Sequence, residues 1–286
     1  MFTFAQITDF HISKPDGMAD RMYQTAGHLR VAVAHLNNLP QRPEFALCTG
    51  DLVDRGGEGE YAILADILGQ LSMPFYLIPG NHDDRGAMRR AFPEHAYLAG
   101  HDGFMQYTIE DWEPRLIALD TLIPGEFGGH LCRRRLDWLH ERLGEQPDRP
   151  TIIFMHHPPF RTGLAKMDTA GLAEREALAA IVRQHGQVEA VLADHVHRFI
   201  TRRFAGTVAM TAPSPAHQVG LNLGAEERLS LIMEPPAGLL HLWLGGGDGL
   251  VSHVSYTGGG YAEGTVFADG QWIRDAPPLK PSIPLP

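Results

Sequence analysis

The sequence predicts an α/β protein with a β-rich C-terminal region. In the first two thirds of the chain, short apolar runs alternate with segments whose apolar residues recur at helical spacing. After about residue 198, short β-type runs separated by glycine and proline take over. The 286 residues are enough to bury a sizeable core.

The individual elements follow from these patterns. Apolar runs predict strands over residues 2–8, 45–49, 75–79, 116–119, 151–155 and 188–193. Helical spacing predicts helices over residues 22–39, 61–71, 135–143 and 172–184. The runs at 200–204, 208–211, 230–233, 239–243 and 250–256 indicate an antiparallel sheet. We therefore predict one domain over residues 1–256 and a Gly/Pro-rich extension over 257–286, with an extended proline-rich tail.

Composition excludes several classes of protein. The net charge of −10 argues against a nucleic-acid polymer as partner, because such proteins present a basic stripe. Two cysteines, Cys48 and Cys132, are too few for a disulfide framework. The sequence has no run of 18 apolar residues and no basic, apolar leader at its start. We expect a cytoplasmic protein with no membrane partner.

Five short polar motifs each follow a predicted strand. Open α/β sheets bind ligands at the carboxyl ends of their strands, so these motifs are expected to converge there. Residues two apart in an extended segment face the same way, which lets a D-x-H or H-x-H pair share one ion. The motifs are Asp9-Phe10-His11, Gly50-Asp51-Leu52-Val53-Asp54, Gly80-Asn81-His82-Asp83, His156-His157-Pro158-Pro159 and Asp194-His195-Val196-His197.

Two of these motifs need further interpretation. Gly50 lets the backbone approach closely, and the carboxylate of Asp51 has two oxygens with which it can bridge two cations. Asp54 is expected to be a loop carboxylate rather than a ligand. Adjacent histidines face different ways, so only one of His156 and His157 is expected to bind metal.

These motifs resemble the calcineurin-like metallophosphoesterase superfamily. Its pattern is D-x-H, G-D-x-x-D, G-N-H-D/E, H followed by P, and G-H-x-H, and all five blocks occur here in that order over residues 9–197. Residues 77–84 and 153–159 look like the bacterial branch of glycerophosphodiesterases and class III cyclic-nucleotide phosphodiesterases, and residues 239–243 and 250–253 resemble its C-terminal strands. The resemblance implies a four-layer α/β/β/α sandwich.

The resemblance also implies two metal sites. One would be held by Asp9, His11, Asp51 and His197, and the other by Asp51, Asn81, His156 and His195. Ligand sets that mix oxygen with imidazole suit iron, manganese, cobalt or zinc. Asp194 stands where the family has glycine. We expect it to support a metal-bound imidazole from behind rather than to bind metal, and a solvated loop aspartate is the alternative.

The implied function is that of a binuclear metal-dependent phosphodiesterase. Its substrates would be small phosphodiesters, either cyclic nucleotides such as 3′,5′-cyclic AMP or glycerophosphodiesters, cleaved by attack of a metal-bound hydroxide. His82 is expected to act as general acid or to contact the phosphate. His217 would contact substrate, with a surface histidine as the alternative reading.

Two other functions stay open at this point. One is a phosphomonoesterase, including a protein phosphatase, and the other is a catalytically silent interaction protein on the same scaffold. Complete ligand motifs count against the silent protein. We also expect homo-oligomers, because the similar phosphodiesterases are oligomeric.

Overall fold

The computed structural model describes residues 1–224, 228–245, 247–258 and 264–272. The strands are β1 (Phe2–Ile7), β2 (Phe45–Cys48), β3 (Phe75–Leu77), β4 (Tyr107–Ile109), β5 (Arg115–Leu119), β6 (Thr151–Met155), β7 (Val188–Ala193), β8 (Ile200–Phe204), β9 (Thr207–Thr211), β10 (Gln218–Val219), β11 (Leu231–Ile232), β12 (Ala237–Trp243), β13 (Leu250–Tyr256), β14 (Phe267–Ala268) and β15 (Gln271–Trp272). The α-helices are α1 (Met18–Tyr23), α2 (Thr25–Asn38), α3 (Glu58–Leu68), α4 (Arg85–Ala91), α5 (Arg133–Glu145), α6 (Ala165–Asp168) and α7 (Arg175–Val182). One 3₁₀-helix spans Ala96–Ala99.

Two mixed sheets form the centre of the protein. The first has the strand order β13-β12-β1-β2-β3, and the second has the order β4-β5-β6-β7-β9-β8. β1, β2 and β3 run parallel to one another, as do β5, β6, β7 and β9. Antiparallel strands complete the edges: β12 and β13 in the first sheet, β4 and β8 in the second.

The β-rich region after residue 198 is present, but its longer strands join the two main sheets, whereas β10 and β11 pair only with each other within the described ranges. β8 and β9 extend the second sheet, whereas β12 and β13 extend the first. The pairing of β12 with β1 joins opposite ends of the chain, with Phe2 opposite Trp243. The antiparallel prediction holds for most of these pairs and fails for β9, which lies parallel to β7. Sequence patterns identified the strands but could not show which earlier strand each would join.

The four-layer α/β/β/α prediction is confirmed by the way the strands divide their side chains. On β2, Phe45 and Leu47 face the second sheet, whereas Ala46 and Cys48 face the helices. One apolar cluster lies between the two sheets, a second between the first sheet and α2, α3 and α4, and a third between the second sheet and α5 and α7. The alternation follows from the two-residue period of a strand, and it gives each sheet two buried faces.

Several predicted elements differ from those observed. The predicted helix over residues 22–39 is split in two at Gln24, whose φ of 49° is left-handed. α4 was not predicted, because its seven residues are too few for a periodic pattern and include Gly86. Its first turn is fixed by Asp84, whose carboxylate accepts a hydrogen bond from the Ala87 backbone at 2.7 Å.

The extension predicted over residues 257–286 falls only partly on described residues. β14 and β15 pair with each other there as a short antiparallel ribbon, and the proline-rich tail lies outside the described residues. The domain boundary at residue 256 stays a prediction. Within the described ranges the longest helix, α2, has 14 residues, and none has the length and apolar character to span a bilayer.

Candidate metal centre

Loops at the carboxyl ends of strands from both sheets meet on one side of the sandwich. The Asp9 backbone N–H donates to the Gly50 carbonyl at 3.0 Å, which ties the loop after β1 to the loop after β2. The Asp194 N–H donates to the His156 carbonyl at 2.8 Å, which ties the loop after β7 to that after β6. Ser214 Oγ joins the two sheets by donating to the Asp9 carbonyl at 3.0 Å. All five motifs therefore reach one place.

Two glycines allow this close approach. A Cβ on Gly50 would lie 2.5 Å from the His156 ring, and Gly50 itself has a φ of +104°. A Cβ on Gly80 would lie 2.3 Å from the Asp51 backbone nitrogen. Both distances are far below van der Waals contact, so any other residue would push the loops apart. The expectation of a close backbone approach at Gly50 is confirmed.

The backbone of the site is strained. Five of the seven candidate ligands have a left-handed backbone, which non-glycine residues adopt rarely. They are Asp9 (φ 52°), His11 (46°), Asp51 (48°), His195 (70°) and His197 (53°). Strain of this kind costs about 1–3 kcal/mol per residue and collects at functional sites. It also turns each side chain off the line of its strand and towards the shared centre.

The first predicted ligand set is assembled. His197 Nε2 lies 3.5 Å from Asp9 Oδ1 and 3.1 Å from His11 Nε2. His11 Nε2 lies 3.8 Å from Asp51 Oδ2. Metal–ligand bonds of about 2.0–2.2 Å place the ligand atoms of one ion about 3–3.5 Å apart. The spacing of these four side chains therefore fits a common ion.

The second predicted set shares Asp51 with the first. His156 Nε2 lies 3.3 Å from Asp51 Oδ2 and 3.2 Å from Asn81 Oδ1. His195 completes this side, with its ring centre 5.2 Å from that of His156. Asp51 thus lies where the two sets meet, which is the position expected of a bridging carboxylate.

The hydrogen bonding of these side chains fits a pair of cations. Both carboxylate oxygens of Asp9 and both ring nitrogens of His195 are buried without a hydrogen-bond partner among the described residues. Buried polar atoms of this kind are costly unless something else binds them. Nδ1 of His156 donates to the Thr49 carbonyl, and Nδ1 of His197 donates to the His217 carbonyl, each at 3.0 Å. Each ring therefore directs its Nε2 towards the centre, where a cation could bind it.

The charges of the site also follow from burial and proximity. Burial lowers the pKa of His11 and that of His195 well below the usual value, so both rings are neutral. Burial works to raise the pKa of Asp51, but the neighbouring His156 and His82 outweigh it and hold that pKa well below its usual range. Burial works to lower the pKa of His156, but Asp51 outweighs it and raises that pKa to about 10, so His156 pairs with Asp51 as a cation when no metal is bound. A bound metal would take the place of that proton, and the carboxylate and imidazole donors are those that transition-metal cations prefer.

His157 and Asp54 lie beside the site and are engaged with the protein. His157 Nδ1 is 2.8 Å from Thr121 Oγ1, and its Nε2 is 3.0 Å from the Phe127 carbonyl. Neither ring nitrogen is left for an ion. The Asp54 carboxylate lies 4.0 Å from His11 Nδ1, and its carbonyl accepts a hydrogen bond from His82 Nδ1 at 2.7 Å. These positions agree with the roles expected for both residues.

Asp194 is fully buried and faces the space between the two sheets. Its Oδ1 accepts hydrogen bonds from Gln6 Nε2 at 2.9 Å and from the Ala212 N–H at 3.3 Å. The alternative of a solvated loop aspartate is therefore wrong. The expected support of a metal-bound imidazole is not seen either, because His195 has no hydrogen bond to this carboxylate. Burial and the nearby Asp9 raise the pKa of Asp194 well above its usual value.

His82 and His217 line a cavity above the candidate ligands. The His82 backbone N–H donates to Asp51 Oδ1 at 2.9 Å. Its ring Nδ1 donates to the Asp54 carbonyl, so Nε2 is the ring nitrogen left for a substrate. His217 is only 3% exposed and stacks on Tyr23, with ring centres 4.4 Å apart. The alternative of a surface histidine is therefore wrong for His217.

The cavity has a volume of about 580 Å³ and an apolar wall. Its floor is formed by candidate ligands from both sets together with His82 and His217. Its wall includes Met18, Tyr23, Phe127, Met167 and Leu231, with Lys166 and Glu126 as charged members. These wall residues were not predicted, because they come from loops and short helices without a recognisable motif.

The sequence profile of the calcineurin-like phosphoesterase family matches residues 2–199 of this chain. This match contains all five motifs and covers more than half of the sequence. The chain belongs to the calcineurin-like phosphoesterase family. The predicted family is thereby confirmed, and members of this family use a binuclear metal centre.

Two relatives refine this assignment. The chain is 36% identical over 254 residues to a protein of Arcobacter nitrofigilis named probable glycerophosphodiester phosphodiesterase GpdQ, covering 88% of this chain and 92% of the relative. It is also 36% identical over 239 residues to a probable cyclic nucleotide phosphodiesterase of Rhodopseudomonas palustris, covering 82% and 85%. These relatives support the prediction that the chain is a phosphoric diester hydrolase.

Solved structures confirm the fold. A dimetal phosphatase from Danio rerio superposes with a TM-score of 0.61 at 16% identity, covering 84% of this chain and 95% of that one. At this identity the likeness extends to the arrangement of sheets and helices and not to substrate.

We predict that Asp51→Asn loses both metals. The amide keeps the shape of the side chain but removes the negative charge that the two ligand sets share. Activity should fall by more than about 100-fold, beyond the loss typical of removing an outer contact. Elemental analysis of the purified variant provides the measurement. Asp66→Asn, on the exposed face of α3, is the control, and an Asp51→Asn protein that keeps two ions would show that this carboxylate is not the bridge.

Asp194→Gly restores the family's residue and is expected to separate stability from metal binding. The Gln6 amide and the Ala212 N–H would each lose one acceptor and keep the Ala193 carbonyl, so the expected cost is about 0.5–1.5 kcal/mol of unfolding free energy. Both metals should be retained and activity should stay within about tenfold, because the Asp194 carboxylate makes no hydrogen bond to a candidate ligand. Urea denaturation and metal analysis measure the two effects. Asp194→Asn keeps the acceptor oxygen and should resemble wild type in stability; loss of one metal equivalent in either variant contradicts this role.

Proposed function

We propose that this protein hydrolyses small phosphodiesters at a centre of two transition-metal ions. The observation that carries the proposal is the pair of candidate ligand sets that share Asp51 on the floor of a cavity of about 580 Å³. A phosphate bound there would meet cations from below and His82 from the side. The chain's overall charge of −10 is no obstacle, because the local charge of a metal centre attracts phosphate.

The residues present can hold such ions, balance their charge and fix the orientation of the imidazole ligands. When bound, the two metals would activate a water molecule and neutralise charge on the phosphate oxygens. The mixed oxygen and imidazole donors favour iron, manganese, cobalt or zinc. Asp51 would balance the charge of both ions, and the hydrogen bonds to Thr49 and His217 would fix the imidazole planes of His156 and His197.

His82 is placed to protonate the departing oxygen. Burial alone would lower its pKa, but Asp51 and the Asp54 carbonyl reverse this, so the pKa of His82 lies above its usual value. A larger fraction of the ring is then protonated at neutral pH. Its Nδ1 is held by the Asp54 carbonyl, which leaves the Nε2 proton for the substrate.

The cavity wall favours a diester that carries an aromatic or apolar group. Phe127 is 69% exposed and offers its ring to the cavity, and Met18, Tyr23 and Leu231 extend the same apolar surface. A nucleobase could pack on such a wall, whereas the hydroxyl groups of glycerol would find few partners. Cyclic nucleotides such as 3′,5′-cyclic AMP are therefore our first candidate substrates.

Glycerophosphodiesters are the second candidate. They are favoured by the relative from Arcobacter nitrofigilis, whose name states that activity and which aligns over 88% of this chain. The cytoplasmic location and the homo-oligomer stay predictions of the sequence alone.

A panel of matched esters tests the proposed function. We expect the metal-loaded protein to hydrolyse cyclic AMP and glycerophosphocholine faster than AMP and glycerol phosphate, with cyclic AMP giving the higher kcat/KM. Phe127→Ala should reduce kcat/KM for cyclic AMP about tenfold, equivalent to about 1.4 kcal/mol, and should spare glycerophosphocholine. Faster monoester hydrolysis would overturn the diesterase proposal. A higher kcat/KM on glycerophosphocholine would overturn only the first candidate substrate.

We predict that His82→Ala has an effect that depends on the leaving group. Loss of a general acid costs roughly 10²–10⁴-fold in rate when the leaving alkoxide needs a proton. Nitrophenolate leaves with little help, so a nitrophenyl diester should be affected far less than cyclic AMP. Equal losses on both substrates would instead indicate a phosphate contact. Metal content should be unchanged, and His253→Ala, an exposed histidine on β13, is the matched control.

A further inference from the structure

A second cavity lies on the outer side of the second sheet, away from the metal centre. It has a volume of about 540 Å³ and is enclosed by β8, α7 and the loop that follows β6. Its apolar base includes Phe160 and Phe204, which are 3% and 7% exposed and belong to the core between the second sheet and its helices. The cavity is therefore built on packed elements of the fold.

The polar lining of this cavity is almost entirely cationic. Five arginines line it, and the accompanying acidic residue is Glu176. The arginines are Arg161, Arg175, Arg183, Arg202 and Arg203. The chain as a whole carries 34 acidic and 24 basic side chains, so chance placement would give the opposite balance.

These arginines lack the close carboxylate partners that other arginines of the protein have. Arg183 is 3.9 Å from Glu176, an exposed and weak pair. The other four have no ion pair or side-chain hydrogen bond to any residue in the described ranges. By contrast, Arg85 binds Asp120 at 2.6 Å and Arg198 binds Glu234 at 2.7 Å.

Several like charges held around one concavity repel one another. That repulsion lowers stability unless an anion neutralises it. Guanidinium groups present a planar fork of N–H donors that matches the oxygens of phosphate and carboxylate groups. The anion must come from outside the described chain, because no carboxylate other than that of Glu176 lines the cavity there.

We propose that this arginine-lined cavity binds a small polyanion, a molecule that carries at least two phosphate or carboxylate charges. A volume of about 540 Å³ lies within the range of sites for small molecules and cofactors. A concave site of this size suits a compact ligand better than a flat protein partner. The site is separate from the catalytic cavity, with which it shares no lining residue.

Pyrophosphate and tricarballylate, a tricarboxylate, are the probes that test this site. Isothermal titration of the metal-loaded wild-type protein should detect saturable binding of at least one probe, and comparing the two distinguishes phosphate from carboxylate ligands. Affinity should fall as salt rises, because the contacts are partly exposed. Any binding at the metal centre is common to all variants below, so the difference between proteins reports on the arginine-lined cavity.

The double variant Arg202→Gln/Arg203→Gln should bind the preferred probe at least tenfold more weakly. Its phosphodiesterase activity and its circular dichroism spectrum should match those of wild type, since neither residue contacts the catalytic cavity. The control Arg30→Gln/Arg42→Gln removes the same charge from exposed positions elsewhere and should leave binding unchanged. Equal binding by the two double variants, or no saturable binding by wild type, overturns the proposal. A change in molar mass confined to the cavity variant also overturns it, because the arginines would then bind another protein copy.

Discussion

The rest of the site depends on the position of the Asp51 carboxylate, which the two candidate ligand sets share. One of its oxygens receives the His82 N–H, and the other faces His156 and His11. To occupy that position Asp51 adopts a left-handed backbone directly after Gly50, and Gly80 must come within contact distance of it. A buried anion surrounded by imidazoles therefore requires a particular loop geometry as well as particular side chains.

The two sheets support this geometry in different ways. The first sheet contributes the carboxylates and the amide, whereas the second contributes three of the four candidate histidines. A ligand set drawn from both sheets is positioned only when the sheets pack correctly. The apolar cluster between them, in which Phe4 stacks on Phe45 with ring centres 4.9 Å apart, is thus part of the support of the site. Gln6 links the sheets directly through its hydrogen bond to Asp194.

Much of this arrangement could be predicted from the sequence. The candidate ligands were recognised because each one follows an apolar run, and the carboxyl ends of parallel strands converge. The buried position of Asp194 was not predictable, because its partner Gln6 is 188 residues away and lies on a mostly apolar strand. The positive φ angles could not be recognised from the sequence, because aspartate and histidine are also expected at these positions for their chemistry. Sheet membership of β8, β9 and β12 depends on long-range pairing, which local periodicity does not encode.

The pairing of β1 with β12 determines how late during synthesis the first sheet can be completed. Phe2 leaves the ribosome early, but its partner Trp243 is synthesised more than two hundred residues later. Contacts so distant in sequence form slowly, because a long loop must close first. The strand that carries Asp9 and His11 at its end therefore stays incomplete on one side through most of translation. We therefore expect this site to bind its metals after the chain has left the ribosome, when the first sheet is complete.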